Sequence, residues 1–174
     1  MKQFWLGVAC SILLSTHAVA GVLNAQEVAR VKSDIATMLE AFEKGDAAPL
    51  IARTHESIYG VMGGKEQFEK TSKKAVDQMM QSGIKFLDSE VGTPTKTYPA
   101  GEEEVCFVPR ISVFEILGKK AKSTGFMIAI RRIGGDSWKY LDAAGLRKNP
   151  EYLKLLLPKL ESGIELPPNK VEIL

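Results

Sequence analysis

The sequence predicts an α+β protein in which three N-terminal helices pack on a curved antiparallel sheet and a C-terminal helix follows. In the first half of the chain, apolar residues recur at intervals of three and four, which is typical of amphipathic helices. In the second half, long runs rich in β-branched and aromatic residues are separated by glycine turns, which is typical of antiparallel strands. Finally, Asn149-Pro150 precedes a leucine-rich segment, and a cap residue followed by proline is a frequent helix start.

The first helix is predicted over residues 24–44, because its apolar residues fall on one stripe and Gly45 stops it. The stripe consists of Val28, Val31, Ile35, Met38, Leu39 and Phe42. Asp46 is a suitable N-cap for a short second helix over residues 47–51, in which Pro49 lies near the first turn.

Residues 54–62, with the sequence THESIYGVM, are predicted to be extended. Gly63-Gly64 is interpreted as a sharp turn and not as a phosphate-binding loop, because glycine tolerates positive φ angles. The third helix is then expected over residues 65–81, with Ser82-Gly83 as its end. Its inward side consists of Phe68, Val76, Met79 and Met80.

Four strands are predicted in the second half of the chain. They cover residues 84–91, 104–116, 122–133 and 137–143. The turn Leu117-Gly118-Lys119-Lys120 joins the two long strands, with Leu117 expected opposite Lys120. Gly134-Gly135 turns the chain into the last strand.

The two long strands are expected to have one apolar face and one mixed face, because neighbouring side chains point to opposite sides of a sheet. The apolar face consists of Val105, Phe107, Ile111, Val113, Thr124, Phe126, Ile128 and Ile130. The mixed face consists of Cys106, Val108, Arg110, Ser112, Met127, Ala129 and Arg131. We expect the apolar face to be enclosed beneath the first helix.

Residues 1–20 are predicted to be a bacterial-type secretory signal peptide. They contain Lys2, an apolar run and the small-residue end Ala18-Val19-Ala20, which suits cleavage after Ala20. Cys10 is less suitable for lipid attachment, because Gly7 stands where a lipoprotein signal would have a branched aliphatic residue. Residues 21–174 are therefore expected to form one exported domain, periplasmic or secreted.

The charge of the chain argues against nucleic acid as a partner. The 23 Lys and Arg residues nearly balance the 21 Asp and Glu residues, and the formal net charge is +2. Phosphate binding needs a concentrated positive field, and no part of the sequence provides one. After the signal peptide, no segment approaches the roughly 20 apolar residues that a membrane span requires, so no integral membrane segment is expected.

No metal or cofactor is expected. After signal cleavage the chain keeps one thiol, Cys106, and one imidazole, His55, without the paired ligand spacing of a metal site. Cys106 lies in the apolar run EVCFV, which favours a buried and inert thiol.

Three stretches give the sequence a resemblance to a known family. They are EAFEKGDAAPLIARTHESI, then GGKEQF at the start of the third helix, and GGDSWKYLDAAG in the last hairpin. In this order they resemble the nuclear transport factor 2-like (SnoaL-like, cystatin-like) superfamily over residues 26–145. The resemblance implies a cone-shaped fold whose pocket lies between the sheet and the long first helix, with the double glycine as the bend into the pocket-lining helix.

The leading functional hypothesis is an exported, non-catalytic domain that binds a small apolar ligand or an envelope protein. Its expected ligand-binding pocket consists of Phe42, Phe68, Phe107, Ile111, Phe126 and Ile128. An immunity-type antagonist of an envelope toxin is an alternative, since export and small size suit that function as well.

A second alternative is a cofactor-free lyase or isomerase, because some members of the superfamily dehydrate or isomerise substrates in the cone. His55 and Tyr59 are the candidate catalytic residues, since an imidazole beside a phenol can transfer protons.

The mixed face leaves one further choice open. Were it enclosed, Arg110, Arg131, Tyr140 and Asp142 could converge on an anionic ligand. Were it exposed, Arg110, Arg131, Trp138 and Tyr140 would form an interface, including one for a homodimer through the outer sheet face.

Overall fold

The structure is a computed structural model that describes residues 21–174, and the predicted signal peptide lies outside them. It belongs to the α+β class, with helices in the first half of the chain and a six-stranded antiparallel sheet. The helices are α1 (Ala25–Glu43), α2 (Ala48–Arg53), α3 (Ser57–Met62), α4 (Lys65–Gln81) and α5 (Tyr152–Leu156), with a 3₁₀ helix at Ala143–Arg147. The strands are β1 (Lys85–Val91), β2 (Tyr98–Ala100), β3 (Glu103–Ile116), β4 (Lys119–Arg132), β5 (Lys139–Asp142) and β6 (Lys170–Ile173).

Helix α1 begins at a capping box. The Asn24 side chain accepts the backbone N–H of Glu27 at 2.9 Å, and the Glu27 carboxylate accepts the backbone N–H of Asn24 at 2.8 Å. The helix ends before Gly45, whose φ angle of 85° lies in the left-handed region that favours glycine. Its buried residues are Val31, Ile35, Met38 and Leu39. The stripe predicted from the sequence is therefore the side of α1 that packs.

The prediction that residues 54–62 are extended is wrong. Thr54 forms one isolated parallel bridge with Tyr140, and the chain then turns into α3. The His55 side chain accepts the backbone N–H of Ser57 at 3.3 Å, which satisfies a donor that the start of a helix leaves without a backbone partner. The segment is therefore helical from Ser57 in spite of the strand preference of its β-branched and aromatic residues.

The Gly63-Gly64 turn is confirmed. Gly63 ends α3 in the left-handed conformation with a φ angle of 80°, and Gly64 has a φ angle of 108° and precedes α4 directly. The backbone N–H of Gly64 donates to the carbonyl of Tyr59 at 2.8 Å. The two glycines therefore join two helices, so that four helices precede the sheet instead of three.

The sheet is built around the β3–β4 hairpin, in which each strand has 14 residues. Strands β1 and β2 pair with β3, and strands β5 and β6 pair with β4, all of them antiparallel. The turn of the hairpin consists of Leu117 and Gly118, whose φ angles are 52° and 73°. Two-residue turns of this kind match the twist of antiparallel strands.

The register of the hairpin differs from the prediction. Ile116 pairs with Lys119, so the expected pairing of Leu117 with Lys120 is wrong. The error shifts each partner by two residues. Every side chain nevertheless lies on its predicted face, because side chains alternate between faces with a period of two.

Helix α1 covers the mixed face of the hairpin and not the apolar face. One core cluster contains Val31, Ile35, Met38, Leu39, Cys106, Val108, Met127, Ala129, Trp138 and Tyr140. The prediction that α1 encloses the apolar face is therefore wrong. The centre of the mixed face holds small and medium apolar side chains, while Arg110 and Arg131 flank it and form ion pairs, so a helix can pack there.

The apolar face is covered by the C-terminal part of the chain. A second core cluster contains Val105, Phe107, Phe126, Ile128, Ile130, Leu141, Leu146, Leu153, Leu156 and Leu157. Helix α5 ends at Leu156, because Pro158 cannot continue a helix. The sheet therefore carries one apolar core on each face.

Candidate functional site

The predicted ligand pocket is filled by the protein itself. Phe107, Phe126 and Ile128 are at most 1% exposed, and the rings of Phe107 and Phe126 meet edge to face with centroids 5.7 Å apart. These three side chains form the core beneath the C-terminal part of the chain. They are packing residues, which corrects the prediction that they face a ligand.

The other three predicted pocket residues lie elsewhere. Phe42 packs against Phe86 with ring centroids 6.0 Å apart, and Phe68 packs against Tyr59 at 5.6 Å. Ile111 is partly buried in β3, nearer the hairpin turn. Phe68 also lines a cavity of about 80 Å³ between α1, α3, α4 and the sheet, which is room for a few water molecules at most. The six residues therefore do not share one pocket.

Arg131 connects α1 to the sheet. Its guanidinium lies 2.6 Å from the Glu27 carboxylate and donates to Glu104 at 2.7 Å, and it stacks over the Trp138 ring at 4.4 Å. Burial by itself lowers the pKa of Arg131, but the hydrogen bonds to Glu27 and Glu104 raise it above its ordinary value. The pKa of Glu27 is lowered by the backbone hydrogen bond from Asn24 and then by Arg131. Arg131 and Trp138 are therefore parts of a core contact, not of an outer interface.

Arg110 and Tyr140 also have internal partners. The Arg110 guanidinium donates to both oxygens of Asp142 at 2.9 and 3.0 Å, while its buried Nε has no partner. The Tyr140 hydroxyl donates to Asp34 at 2.9 Å, and burial raises the pKa of Tyr140. Arg110, Arg131 and Tyr140 thus bind different carboxylates of the chain, and the prediction that they converge on an anionic ligand is wrong. Helix α1 covers the inner part of this face, so Arg131, Trp138 and Tyr140 are not an exposed interface.

His55 lies in a polar cluster with two residues that the sequence reasoning missed. Ser57 Oγ lies 2.9 Å from His55 Nδ1, and Glu103 Oε1 lies 3.1 Å from His55 Nε2. Because the backbone N–H of Ser57 also donates to Nδ1, the neutral imidazole carries its hydrogen on Nε2 and donates it to Glu103. We call these three residues the His55 cluster.

The folded chain fixes the position of the His55 ring. The His55 backbone N–H donates to the carbonyl of Tyr140 in β5 at 2.9 Å, and the residue is 8% exposed. Glu103 is the first residue of β3. The predicted partner Tyr59 packs against Phe68 instead, so that Ser57 and Glu103 are the hydrogen-bond partners of the imidazole.

Two surface clefts meet at the His55 cluster. One has a volume of about 350 Å³ and the other about 470 Å³, and His55, Glu56, Glu103 and Arg132 line both. The smaller cleft adds Ser57 and the apolar residues Leu156, Leu157 and Pro158. The larger one adds the cations of Lys65 and Lys139. The cluster is thus reached from solvent although the imidazole is mostly buried.

A third cleft, which we call the C-terminal cleft, lies between α5 and the segment that follows it. Its volume is about 440 Å³. Its lining is mostly apolar and comprises Pro150, Leu153, Leu157, Pro158, Leu160, Ile164 and Leu166, together with Lys154, Glu161, Ser162 and Gly163. Leu157 and Pro158 line both this cleft and the smaller His55 cleft.

A fourth cleft, of about 570 Å³, lies between α2 and α4. It is lined by three lysines, Lys65, Lys73 and Lys139, and by three carboxylates, Asp46, Glu69 and Asp77. Lys139 donates to the carbonyl of Ala52 at 2.9 Å. Because the charges of this cleft balance, its electrostatics favour neither anions nor cations.

Cys106 is buried, as predicted. Burial raises the pKa of its thiol to about 12, which keeps it protonated and unreactive near neutral pH. Among residues 21–174, no group of three or more His, Cys, Asp or Glu side chains is placed to hold a metal ion.

The structure defines a class rather than a family: an α+β protein whose six-stranded antiparallel sheet has one core on each face. No protein-family model, curated protein or solved structure matches the chain. Within the described part of the chain, no helix has the length and apolar character needed to cross a membrane.

Proposed function

We propose that this chain is an exported protein that binds one small apolar molecule in its C-terminal cleft. The apolar lining of that cleft carries the proposal. Five aliphatic side chains and two prolines surround a volume of about 440 Å³, which is within the usual range for small-molecule sites. The proposal keeps the ligand class expected from the sequence and moves the site from the interior of the cone to the C-terminal segment.

Removal of exposed apolar surface from water is the source of the binding free energy in this cleft. Leu160, Ile164 and Leu166 are only partly buried, so part of their apolar surface remains in water. Covering about 100 Å² of such surface contributes roughly 2.5 kcal/mol to binding. Lys154 and Glu161 each add one charge to the lining, so an apolar molecule with one polar end fits the cleft better than a fully apolar one.

A fluorescent apolar probe tests this proposal. N-phenyl-1-naphthylamine is expected to bind the wild-type protein saturably at one site with a blue-shifted emission. Ile164→Asp should weaken this binding at least about tenfold, because it places a charge in the apolar lining. Leu155→Asp is the matched control, since Leu155 is 63% exposed on α5 and does not line the cleft. Equal affinities of the two variants, or no saturable binding, would contradict the proposal.

Native mass spectrometry can identify the natural ligand by comparing the wild-type protein with the same Ile164→Asp variant. Protein purified without denaturation should carry a co-purifying apolar molecule, and Ile164→Asp should carry less of it.

N-terminal sequencing of the exported protein tests the export proposal, with Gly21 expected as the first residue.

We also propose kinship with the nuclear transport factor 2-like superfamily. Two features support it: helices precede an antiparallel sheet, and a long first helix packs on the sheet. Two features depart from the expected pattern, namely the additional helix α3 and the packing of the C-terminal segment on the apolar face. The proposed ligand site does not depend on this kinship.

A further inference from the structure

The His55 cluster has the order of groups found in enzymes that use an activated hydroxyl. A hydroxyl oxygen lies 2.9 Å from one imidazole nitrogen, and a carboxylate oxygen lies 3.1 Å from the other. A nucleophile next to a base, with the base oriented by a third group, is the general arrangement for covalent catalysis by serine. The cluster is also open to two clefts, so a substrate can reach it.

We propose that Ser57 is the nucleophile of an acyl-ester hydrolase site, with His55 as its general base and Glu103 as the residue that positions His55. This activity goes beyond ligand binding in the C-terminal cleft and does not depend on it. The hydrogen bond from Nε2 to Glu103 leaves Nδ1 as an acceptor, and its lone pair is shared between the Ser57 hydroxyl at 2.9 Å and the Ser57 backbone N–H at 3.3 Å.

The proposed reaction uses only the ester and water. Ser57 Oγ attacks the carbonyl carbon of the ester while its proton passes to His55 Nδ1, and Glu103 stabilises the imidazolium that forms. When the carbon–oxygen bond to the alcohol breaks, the alcohol takes that proton from Nδ1 and the acyl group remains on Ser57. Water then attacks the acyl-serine and gives one proton to Nδ1. When the bond between the acyl carbon and Ser57 Oγ breaks, Nδ1 returns that proton to Oγ, which restores the Ser57 hydroxyl and releases the carboxylic acid.

The clefts suggest which ester fits. Leu156, Leu157 and Pro158 line the cleft that contains Ser57, so they can contact an apolar acyl group. Arg132 and Lys159 line the cleft that contains Ser57, together with the carboxylates of Glu56, Glu102 and Glu103, so these two cations are the ones available there to a developing oxyanion. The substrate class is therefore a small carboxylic ester with an apolar acyl group.

The same contacts also have a structural consequence, which the test must separate from catalysis. His55 Nδ1 accepts the backbone N–H of Ser57 at the start of α3, and this bond does not need the hydroxyl. Ser57→Ala therefore removes the nucleophile and keeps the backbone contact that begins the helix. If capping were the sole role of His55, the Ser57 hydroxyl would have no unusual reactivity.

A fluorophosphonate probe measures that reactivity on the wild-type protein. Ser57 Oγ is expected to form a bond to phosphorus as fluoride leaves and the hydroxyl proton passes to His55, and peptide mass spectrometry should locate the adduct on Ser57. Ser72→Ala is the control and should keep full labelling, because Ser72 lies on α4 and lines neither of the two clefts. Absence of an adduct on Ser57 in the folded protein overturns the proposal.

Kinetics with p-nitrophenyl butyrate test the roles of the two partners. Ser57→Ala and His55→Gln should each lower kcat about 100-fold or more, since a positioned base contributes at least that factor. Glu103→Gln should lower kcat with little change in KM, and Glu103→Asp should restore part of it. Hydrolysis that is unchanged by Ser57→Ala, or labelling of Ser57 that is equally fast in His55→Gln, also overturns the proposal. Probe binding by the C-terminal cleft is measured separately, so each proposal can fail alone.

Discussion

The two halves of the β3–β4 hairpin differ in what covers them. The inner half consists of residues 103–109 and 126–132, and the outer half of residues 110–116 and 119–125. In the inner half, large apolar side chains are fully buried on both faces, and they include Val105, Phe107, Val108, Ile128 and Ile130 at 0% exposure. In the outer half, the buried side chains are small, namely Ser112, Ala121 and Ser123, while Ile111, Val113 and Phe114 are only partly buried. Two strands of uniform length thus form a core at one end only.

The difference shows where this fold can hold a site in a fixed position. Both core clusters meet the sheet at the inner half, and the His55 cluster is attached there through Glu103 in β3 and the Tyr140 carbonyl in β5. The cores on the two faces of the sheet hold the backbones of β3 and β5 in place. The positions of Glu103 in β3 and of His55, which is hydrogen-bonded to β5, are therefore fixed relative to each other. The outer half offers no comparable support among the described residues.

Truncation of a core phenylalanine is the largest expected effect. Phe107→Ala in the inner half should lower the free energy of unfolding by about 3–5 kcal/mol, because Phe107 is 0% exposed and packs on Phe126 and Tyr98. Phe114→Ala is the matched change in the outer half and should cost about half as much, since Phe114 is partly buried. Urea unfolding measures both, and equal losses would contradict the contrast between the halves.

Removal of the Arg131 guanidinium should have the next largest effect. Arg131→Met leaves Glu27 and Glu104 without their cation at the end of the inner half, and the expected loss is about 2–3 kcal/mol. The exposed pair of Lys44 and Glu40 serves as the control, because its side chains are 70% and 68% exposed. Lys44→Met should leave the urea midpoint unchanged within error. A neutral result for Arg131→Met would show that α1 is held by apolar packing alone.

Alkaline pH should weaken the inner half through Cys106. Its thiol has a pKa of about 12 in the folded protein, whereas an exposed thiol titrates near 8.5. Above the lower value the unfolded chain releases a proton that the folded chain retains, so stability is complete below pH 8 and falls as pH rises. The expected loss between pH 8 and pH 10 is about 2 kcal/mol. Cys106→Ala should flatten this pH dependence, and an unchanged slope in that variant would refute the assignment.

Sequence patterns predicted the parts of the fold that depend on local spacing. The stripe of α1, the Gly63-Gly64 turn and the two faces of the hairpin each follow from residues close together in the chain. Which element covers which face could not be predicted, because both faces hold enough apolar surface to pack a helix. The two arginines made the mixed face look exposed, although carboxylates from other elements neutralise them.

The residues of the candidate site also fall into those that local sequence can predict and those that it cannot. His55 was identified from the sequence, and Ser57 could have been, since it is two residues away. Glu103 could not, because it is 48 residues from His55 and only the sheet brings it near. The pairing of Glu104 with Arg131 was hidden by the register error, since the predicted turn would have placed Cys106 opposite Arg131. The candidate site therefore depends on contacts between elements that are distant in the sequence.

The smallest expected effect lies at the turn of the outer half, where a leucine has a backbone conformation that favours glycine or asparagine. Leu117 has a φ angle of 52° and is 90% exposed, so its side chain gains no packing for adopting a left-handed conformation. Asparagine followed by glycine is the preferred pair for this turn, and Leu117→Asn should raise the free energy of unfolding by about 0.5–1 kcal/mol. Gly118→Ala is the opposing control and should lower it by about 1 kcal/mol, because Gly118 also has a positive φ angle of 73°. Since nothing large is buried near the turn, neither change should alter labelling of Ser57, and a change in that labelling would show that the two halves are coupled.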